Sequence, residues 1–221
     1  MSEDRPIDYQ ITDDTKLHRL PERGHYDRDT VHAILDEGIV AHVGLMANGR
    51  PVVIPMVYGR EGDILYIHGS AASRLLRQGK AGNQLCVTVT LVDGLVLARS
   101  PFHHSVNFRS VVVMGAGTFV DDPLDKHRIL DLITEHVVPG RIEGVRSHTE
   151  KELRATLVLA LPINEASAKL RSGPPVDDDE DYVLDHWAGV IPLGVSVGDP
   201  IPDPRLTPGI ELPDHVSEWS R

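Results

Sequence analysis

Apolar and polar positions follow a helical period and then strand-like runs along this chain. The stretch DRDTVHAILDEG sets Val31, Ile34 and Leu35 on one face, with Asp27 or Asp29 as N-cap and Gly38 as the stop, and predicts a short helix. Two apolar runs follow, IVAHVGLM and PVVIPMVY, on either side of Ala47-Asn48-Gly49-Arg50. Asn-Gly between such runs is the strongest short hairpin signal. A turn in GREGD leads to the strand ILYIH, which is followed by a helix in SRLLRQGK, the run QLCVTVTLV, a turn at Asp93-Gly94, and the runs LVLARS and FRSVVVMGAGTFV. About six strands, mostly joined by short turns, predict an antiparallel sheet, and closure into a barrel would remove its edges.

The pattern changes after residue 120. DDPLDKHRILDLITEHVV has acidic cap candidates, Pro123 in its first turn and Leu124, Ile129, Leu132 and Ile133 at helical spacing, so it predicts an amphipathic helix. Thr149 and Glu152 form a capping-box pattern for another short helix, and ATLVLAL returns to strand. Residues 162–221 hold most of the sixteen prolines and the acid run Asp177 to Asp181, which read as solvated loop. HWAGVIPL within them is too apolar to float freely. The outcome is a mainly β chain, α+β in class: an antiparallel barrel with peripheral helices. Its divisions are an N-terminal arm at 1–24 that is ordered only by packing on something else, one domain over 25–213, and a tail at 214–221.

Composition narrows the function classes. With 221 residues, 41% hydrophobic and 25% charged, the chain has the make-up of a soluble globular domain. Its 33 acids against 22 bases give a net charge of -11, which would repel nucleic-acid phosphates and anionic membranes. Cys86 is the single cysteine, so no intrachain disulfide can form, and its place in LCVTV reads as a buried inert thiol. Residues 1–20 lack the apolar core of a signal peptide, and no apolar run is long enough to span a bilayer; the cytoplasm is the expected location.

Candidate chemistry centres on the small-residue turn in LYIHGSAASRLLRQGK. Ser70 reads as the N-cap of the following helix, and Gly69, Ala71 and Ala72 leave room for a ligand against its first backbone amides, where the helix dipole favours an anion. Arg74, Arg77 and Lys80 add cationic donors, so the turn reads either as a phosphate seat or as an ordinary capped helix with solvated basic residues. Lys169 and Arg171 in KLRSGPP put two cations beside a rigid turn. They read either as solvated loop residues or as contacts to a cofactor or substrate. His103-His104 are neighbours on a strand pattern and point to opposite faces, with no HExxH or paired carboxylates nearby, so no metal site is expected. GAGTFV sits inside a strand pattern and is no dinucleotide fingerprint, and Ser105 has no glycine elbow.

Four blocks in order, IVAHVGLMANGRPVVIPMVYGREGDILYIHGSAASR, LVDGLVLARSPFHHSVNFRSVVVMG, RSGPPVDDDEDY and HWAGVIPL, resemble the flavin-nucleotide-binding, nitroimidazole-reductase-related branch of the pyridoxamine 5'-phosphate oxidase-like superfamily. The resemblance runs from about residue 22 to 213 and implies a six-stranded split β-barrel that forms a homodimer and binds FMN at the subunit interface. It puts Val53, Ile54, Pro55 and Met56 along the flavin ring and His68-Gly69 where the oxidases have a tyrosine-threonine pair. Ser73-Arg74 matches the serine-arginine phosphate clamp, with Ser70 and Arg77 beside it. Ser110 stands at the place of a flavin-binding glutamine, and Trp187 matches a tryptophan that reaches the cofactor. Leu75 replaces the usual lysine of the clamp, and Val197 stands where an arginine for pyridoxamine phosphate is expected, which argues against the vitamin B6 reaction. The resemblance thus implies an FMN-dependent oxidoreductase, such as a flavin or nitro-compound reductase fed by a nicotinamide nucleotide or other small redox partner, with His68 as the candidate catalytic residue. Two alternatives stand beside it: a haem-binding split barrel with His68 or His103 as axial ligand, and a flavin-binding module without turnover. FMN, FAD and a deazaflavin are not distinguished by these residues.

Overall fold

The computed structural model describes residues 8–73, 76 and 82–220. Contacts within the chain group it into two compact units, one made of residues up to Val43, Cys86–Gly115 and Ile163–Gly194, the other of Gly44–Leu85, Ala116–Pro162 and the residues from Val195 on. Among the described residues there are ten strands: β1 (Gly24–His25), β2 (Val40–Ala47), β3 (Arg50–Glu61), β4 (Ile64–Ser70), β5 (Gln84–Leu97), β6 (Ser105–Ala116), β7 (Thr118–Phe119), β8 (Thr156–Pro162), β9 (Glu165–Arg171) and β10 (Gly189–Pro192). The α-helices are α1 (Arg28–Glu37), α2 (Pro123–Val137), α3 (Glu150–Ala155) and α4 (Asp214–Ser217). None is long and apolar enough to cross a membrane.

In the first unit the strand order is β1-β9-β6-β5, with β10 paired to β5. Helix α1 forms where its pattern places it: Asp27 accepts from the Thr30 amide at 2.8 Å, Gly38 closes the C-terminus, and Val31, Ile34 and Leu35 are buried. The N-terminal arm is tied down by the same means, with Tyr9 buried and its hydroxyl 2.8 Å from His32 Nε2. The turn expected at Asp93-Gly94 does not form. β5 runs straight through it, because the Asp93 carboxylate is held by Arg109 of β6 (Nε to Oδ2 3.0 Å, Nη2 to Oδ1 2.8 Å). Gly94 there faces β10 so closely that a Cβ would come within 3.0 Å of the Ile191 carbonyl oxygen. Arg109 also grips both carboxylate oxygens of Glu37, and these two acids hold its guanidinium protonated well beyond the usual arginine range.

Residues 165–171, expected as loop, are the strand β9, with Ala166, Ser167, Ala168 and Arg171 buried. Small and charged residues conceal a strand whose neighbours β1 and β6 cover it on both edges. The acid run is not wholly solvated either. Asp177 is only 6% exposed and accepts from the Arg99 amide at 2.9 Å and from Arg99 Nη1 at 3.0 Å. Burial alone would raise its pKa, and the bonds from Arg99 outweigh that and hold it below the usual carboxylate value. Cys86, expected buried, is half-buried, and its thiol lies 4.0 Å from the Thr88 hydroxyl.

In the second unit the order is β3-β4-β8-β7, all antiparallel. The Asn-Gly hairpin forms as its sequence predicts: Asn48 and Gly49 take φ of 52° and 73°, the two positive angles that a type I′ turn requires. Helix α2 is capped by Asp122, which accepts from the amides of Leu124 and Asp125, and α3 opens with the Thr149/Glu152 capping box. Leu124, assigned to the apolar face, is 82% exposed; Ile129, Leu130 and Ile133 carry the buried stripe instead. They form one cluster with Tyr66 and Val158, onto which Val57, Ile64, Leu132, Leu153 and Ala160 pack.

Candidate functional site

Strand register decides which candidate side chains can act together. In the second unit Tyr58 pairs with Ile67, Gly59 with Tyr66, and His68 with Val158. Directly opposed residues share a face and successive ones alternate. Val57, Gly59, Tyr66, His68 and Val158 therefore lie on the face covered by α2, and Leu65, Ile67 and Gly69 on the other, while the Tyr58 ring packs 4.8 Å from that of His136 in α2. Contacts agree: a Cβ on Gly59 would meet Leu132 and Ile133 of α2, whereas one on Gly69 would meet Leu76 Cδ1 at 2.9 Å and Met56 Cε at 3.7 Å. The candidate His68 thus turns away from the candidate pair Met56 and Gly69.

The same alternation divides the residues expected along a flavin ring. Val53 and Pro55 are exposed and Ile54 and Met56 half-buried, so the four side chains do not form one wall. Val53, 62% exposed, leaves an apolar strand surface open. His68 is half-buried, and its Nδ1, closed off from solvent, has no hydrogen-bond partner among the described residues. Burial first, and repulsion from neighbouring His148 second, push its pKa below the usual 6.5, so the ring is neutral near pH 7.

The turn after β4 is built differently from the expected amide cradle. Ser70 is the last residue of β4, opposite Thr156, not a helix N-cap. Its hydroxyl accepts from the Ala72 amide at 3.1 Å and its carbonyl from the Ser73 amide at 2.7 Å, while the Ala71 amide donates to the Ala155 carbonyl at 2.8 Å. Ser73 holds the capping position, its hydroxyl accepting from the Leu76 amide at 3.4 Å. The amides of residues 71–73 are therefore all taken by partners within the protein, Ala71's by the Ala155 carbonyl and the other two inside the turn. What this stretch keeps to offer an anion is the hydroxyl protons of Ser70 and Ser73. Arg74 and Arg77, together with Leu75 and Lys80, lie outside the described residues.

In the first unit β6 and β9 bring Ser110, Lys169 and Arg171 side by side. Ser110 opposes Lys169 and its hydroxyl donates to the Lys169 carbonyl at 3.4 Å; Arg171 opposes Phe108. Lys169 Nζ reaches the Arg19 carbonyl at 3.4 Å. The Arg171 guanidinium donates to Asn107 Oδ1, to the Gly173 carbonyl at 3.2 Å and to the Pro174 carbonyl at 3.1 Å. Asn107 and Arg23, which share this neighbourhood, carry no sequence signal of their own; only the strand pairing identifies them. Trp187 is 70% exposed, its indole lying over Gly189.

His103 sits in a short 3₁₀ turn (Pro101–His103), not in a strand, with Nε2 3.3 Å from Asp178 Oδ2. Among the described residues, no group of three or more His, Cys, Asp or Glu side chains is arranged to hold a metal ion.

The comparisons place this architecture. The chain is similar over 95% of its length to the flavocytochrome Anf3 of Azotobacter vinelandii, at 43% identity with a TM-score of 0.91 and 97% of that chain covered. To the FAD and heme binding protein of Mycobacterium smegmatis it is 39% identical over 89% of its length and 96% of that chain, with a TM-score of 0.85. A putative 5-nitroimidazole antibiotic resistance protein of Bacteroides thetaiotaomicron shares the fold, at 24% identity and a TM-score of 0.57 over 66% of this chain and 85% of that one. Among curated proteins none matches. The family model for pyridoxamine 5'-phosphate oxidase matches residues 27–170, and the antiparallel sheet with few helices is the split β-barrel of that fold. The chain belongs to the pyridoxamine 5'-phosphate oxidase family.

Proposed function

We propose that this chain binds a flavin nucleotide and a haem and works as an oxidoreductase. The observation that carries this reading is likeness over nearly the whole chain to two proteins, one named a flavocytochrome and the other named for FAD and heme. The residues fit both groups. A flavin ring needs an apolar surface, which Ile54 and Met56 offer on the Gly69 side of the strand, and a phosphate needs donors, which Ser70 and Ser73 keep. A haem iron takes a neutral imidazole, and His68 has one with a buried, unpartnered Nδ1. Flavin supplies hydride and electron transfer and haem supplies one-electron transfer, while the chain binds, orients and shields them. A nicotinamide nucleotide is the donor we assign. The flavin is FMN by the resemblance of the Ser73-Arg74 stretch and FAD by the name of the M. smegmatis protein; the mass of the released cofactor decides.

We also propose a homodimer. Residues 193–213 run almost without secondary structure, and Val195, Ile201, Leu206, Ile210 and Leu212 are exposed along them, an apolar series that a second subunit would cover. The absorbance spectrum of the purified chain tests the main reading. Flavin bands together with a Soret band are expected, the flavin bands bleaching with NADH or NADPH and the Soret band weakening in His68→Ala. A spectrum with neither chromophore refutes it, and flavin bands that no reductant bleaches reduce the protein to a binding module. Light scattering that returns one protomer mass rejects the dimer.

A further inference from the structure

Arg171 is 8% exposed, yet no carboxylate pairs with it among the described residues. Its charge rests on neutral acceptors alone: Asn107 Oδ1 and the carbonyls of Gly173 and Pro174. Buried charges are ordinarily paired, and an uncompensated one is costly. A second guanidinium, Arg23, adds to the load. Burial first, and repulsion from Arg23 second, lower the Arg171 pKa, the direction expected of a cation facing a like charge. In a chain of net charge -11, two neighbouring arginines that form no ion pair among the described residues need an explanation.

The two arginines line one cavity of about 510 Å³, together with Glu22, His25, Leu170, Ser172, Pro174 and Val176. We propose that this cavity is a binding site for a phosphate-bearing small molecule of nucleotide size. A phosphate dianion matches two guanidiniums where a carboxylate matches one, and guanidinium forks suit phosphate oxygens. Ser172 adds a hydroxyl donor at the rim, and Leu170, Pro174 and Val176 give an apolar surface for a sugar or a heterocycle. The volume is that of ordinary small-molecule pockets. Glu22 is the opposing charge, and it makes no ion pair with either arginine among the described residues. The site is argued from its own residues and stands apart from the flavin reading. The phosphate can come from a dinucleotide cofactor or from a nicotinamide nucleotide donor.

Calorimetric titration of the full-length chain with inorganic pyrophosphate at fixed ionic strength tests it. Saturable binding is expected in the wild type. Arg23→Gln, which removes the less buried cation and spares the core, should weaken it at least about tenfold, and Glu22→Gln should tighten it. Arg171→Gln should weaken it as well, but folding of that variant must first be confirmed by circular dichroism. Prior saturation with FAD abolishes pyrophosphate binding if the source is the cofactor; saturation with NADPH does so if it is the donor. Absence of saturable binding, equal affinity in Arg23→Gln, or persistence of binding under both nucleotides overturns the proposal. A chain that binds pyrophosphate in this way but takes up no flavin refutes the flavin reading and leaves this site intact.

Discussion

Replacing Gly59 with alanine tests how tightly α2 is seated on β3. The new Cβ would lie 2.7 Å from Leu132 Cδ2, 3.1 Å from Ile133 Cγ1 and 3.2 Å from Ile133 Cα. The first contact is the end of a side chain that can turn away. The last is helix backbone, so α2 itself must retreat by a few tenths of an ångström and loosen the cluster of Tyr66, Ile129, Leu130, Ile133 and Val158. Overpacking of this kind costs roughly 1 to 3 kcal/mol. Against it stands the reduced entropy of the unfolded chain, worth about 0.4 to 1 kcal/mol when glycine becomes alanine at a compatible site. The difference leaves Gly59→Ala destabilised by roughly 0 to 2.6 kcal/mol. Urea unfolding at one fixed protein concentration reads it as a lower midpoint with unchanged slope. In a double-mutant cycle Leu132→Ala, itself destabilising, should cost less in the Gly59→Ala background than in the wild type, but should not cancel the Gly59→Ala loss, because the backbone contact remains. A midpoint that rises in Gly59→Ala would show that the helix is not seated on this residue.

Two further outcomes are expected. In the cofactor-free chain burial favours the neutral form of His68, so below about pH 6.5 the unfolded chain takes up a proton that the folded one refuses, and stability falls as pH drops from there through the lowered folded-state pKa; urea midpoints of the apoprotein at pH 7.5 and 5.5 should differ less in His68→Gln than in the wild type, and identical differences would exclude His68 from the effect. Trp187→Ala should leave stability within about 0.5 kcal/mol, since an exposed side chain has little packing to lose, and should act on cofactor retention instead; a large drop in thermal midpoint would mean that the indole is buried in the working assembly by contacts stronger than its protomer shows.

Legibility of the sequence followed the kind of signal each segment carries. Local chemistry was readable where one short motif decides the geometry: the Thr149/Glu152 box and the Asn48-Gly49 hairpin stand as their spacing predicts, and the acidic cap candidates narrow to Asp27 over Asp29 and to Asp122 before Pro123. The same local reading failed where a distant partner overrides it. Asp93-Gly94 has the composition of a turn, but Arg109, sixteen residues on, claims the aspartate and keeps the strand straight. β9 escaped notice because Ala166, Ser167 and Ala168 have no apolar bulk, although small side chains are what close packing between two neighbouring strands asks for. At the candidate site, residue types could be matched to a family pattern, but which side of a strand each one faces depends on register.

Register has a consequence for how the site can work. His68 and Gly69 are adjacent in sequence and the family resemblance assigns both to one cofactor, yet period-two alternation sends the imidazole to the α2 side with Tyr66 and Val158 and leaves Gly69 beside Met56 and Leu76. One flat ring cannot lie against both faces of a strand. A ligand touching Met56 and Gly69 would meet the His68 backbone and not its imidazole, so a chemical role for that ring calls for a second group on the opposite face or for action through His148. The proposal of two prosthetic groups meets this condition, whereas a single flavin with His68 as its acid or base does not. His68→Ala therefore separates the two: loss of the Soret band with flavin content unchanged fits a group on the far face, and equal loss of both chromophores would mean that the histidine supports the strand they share.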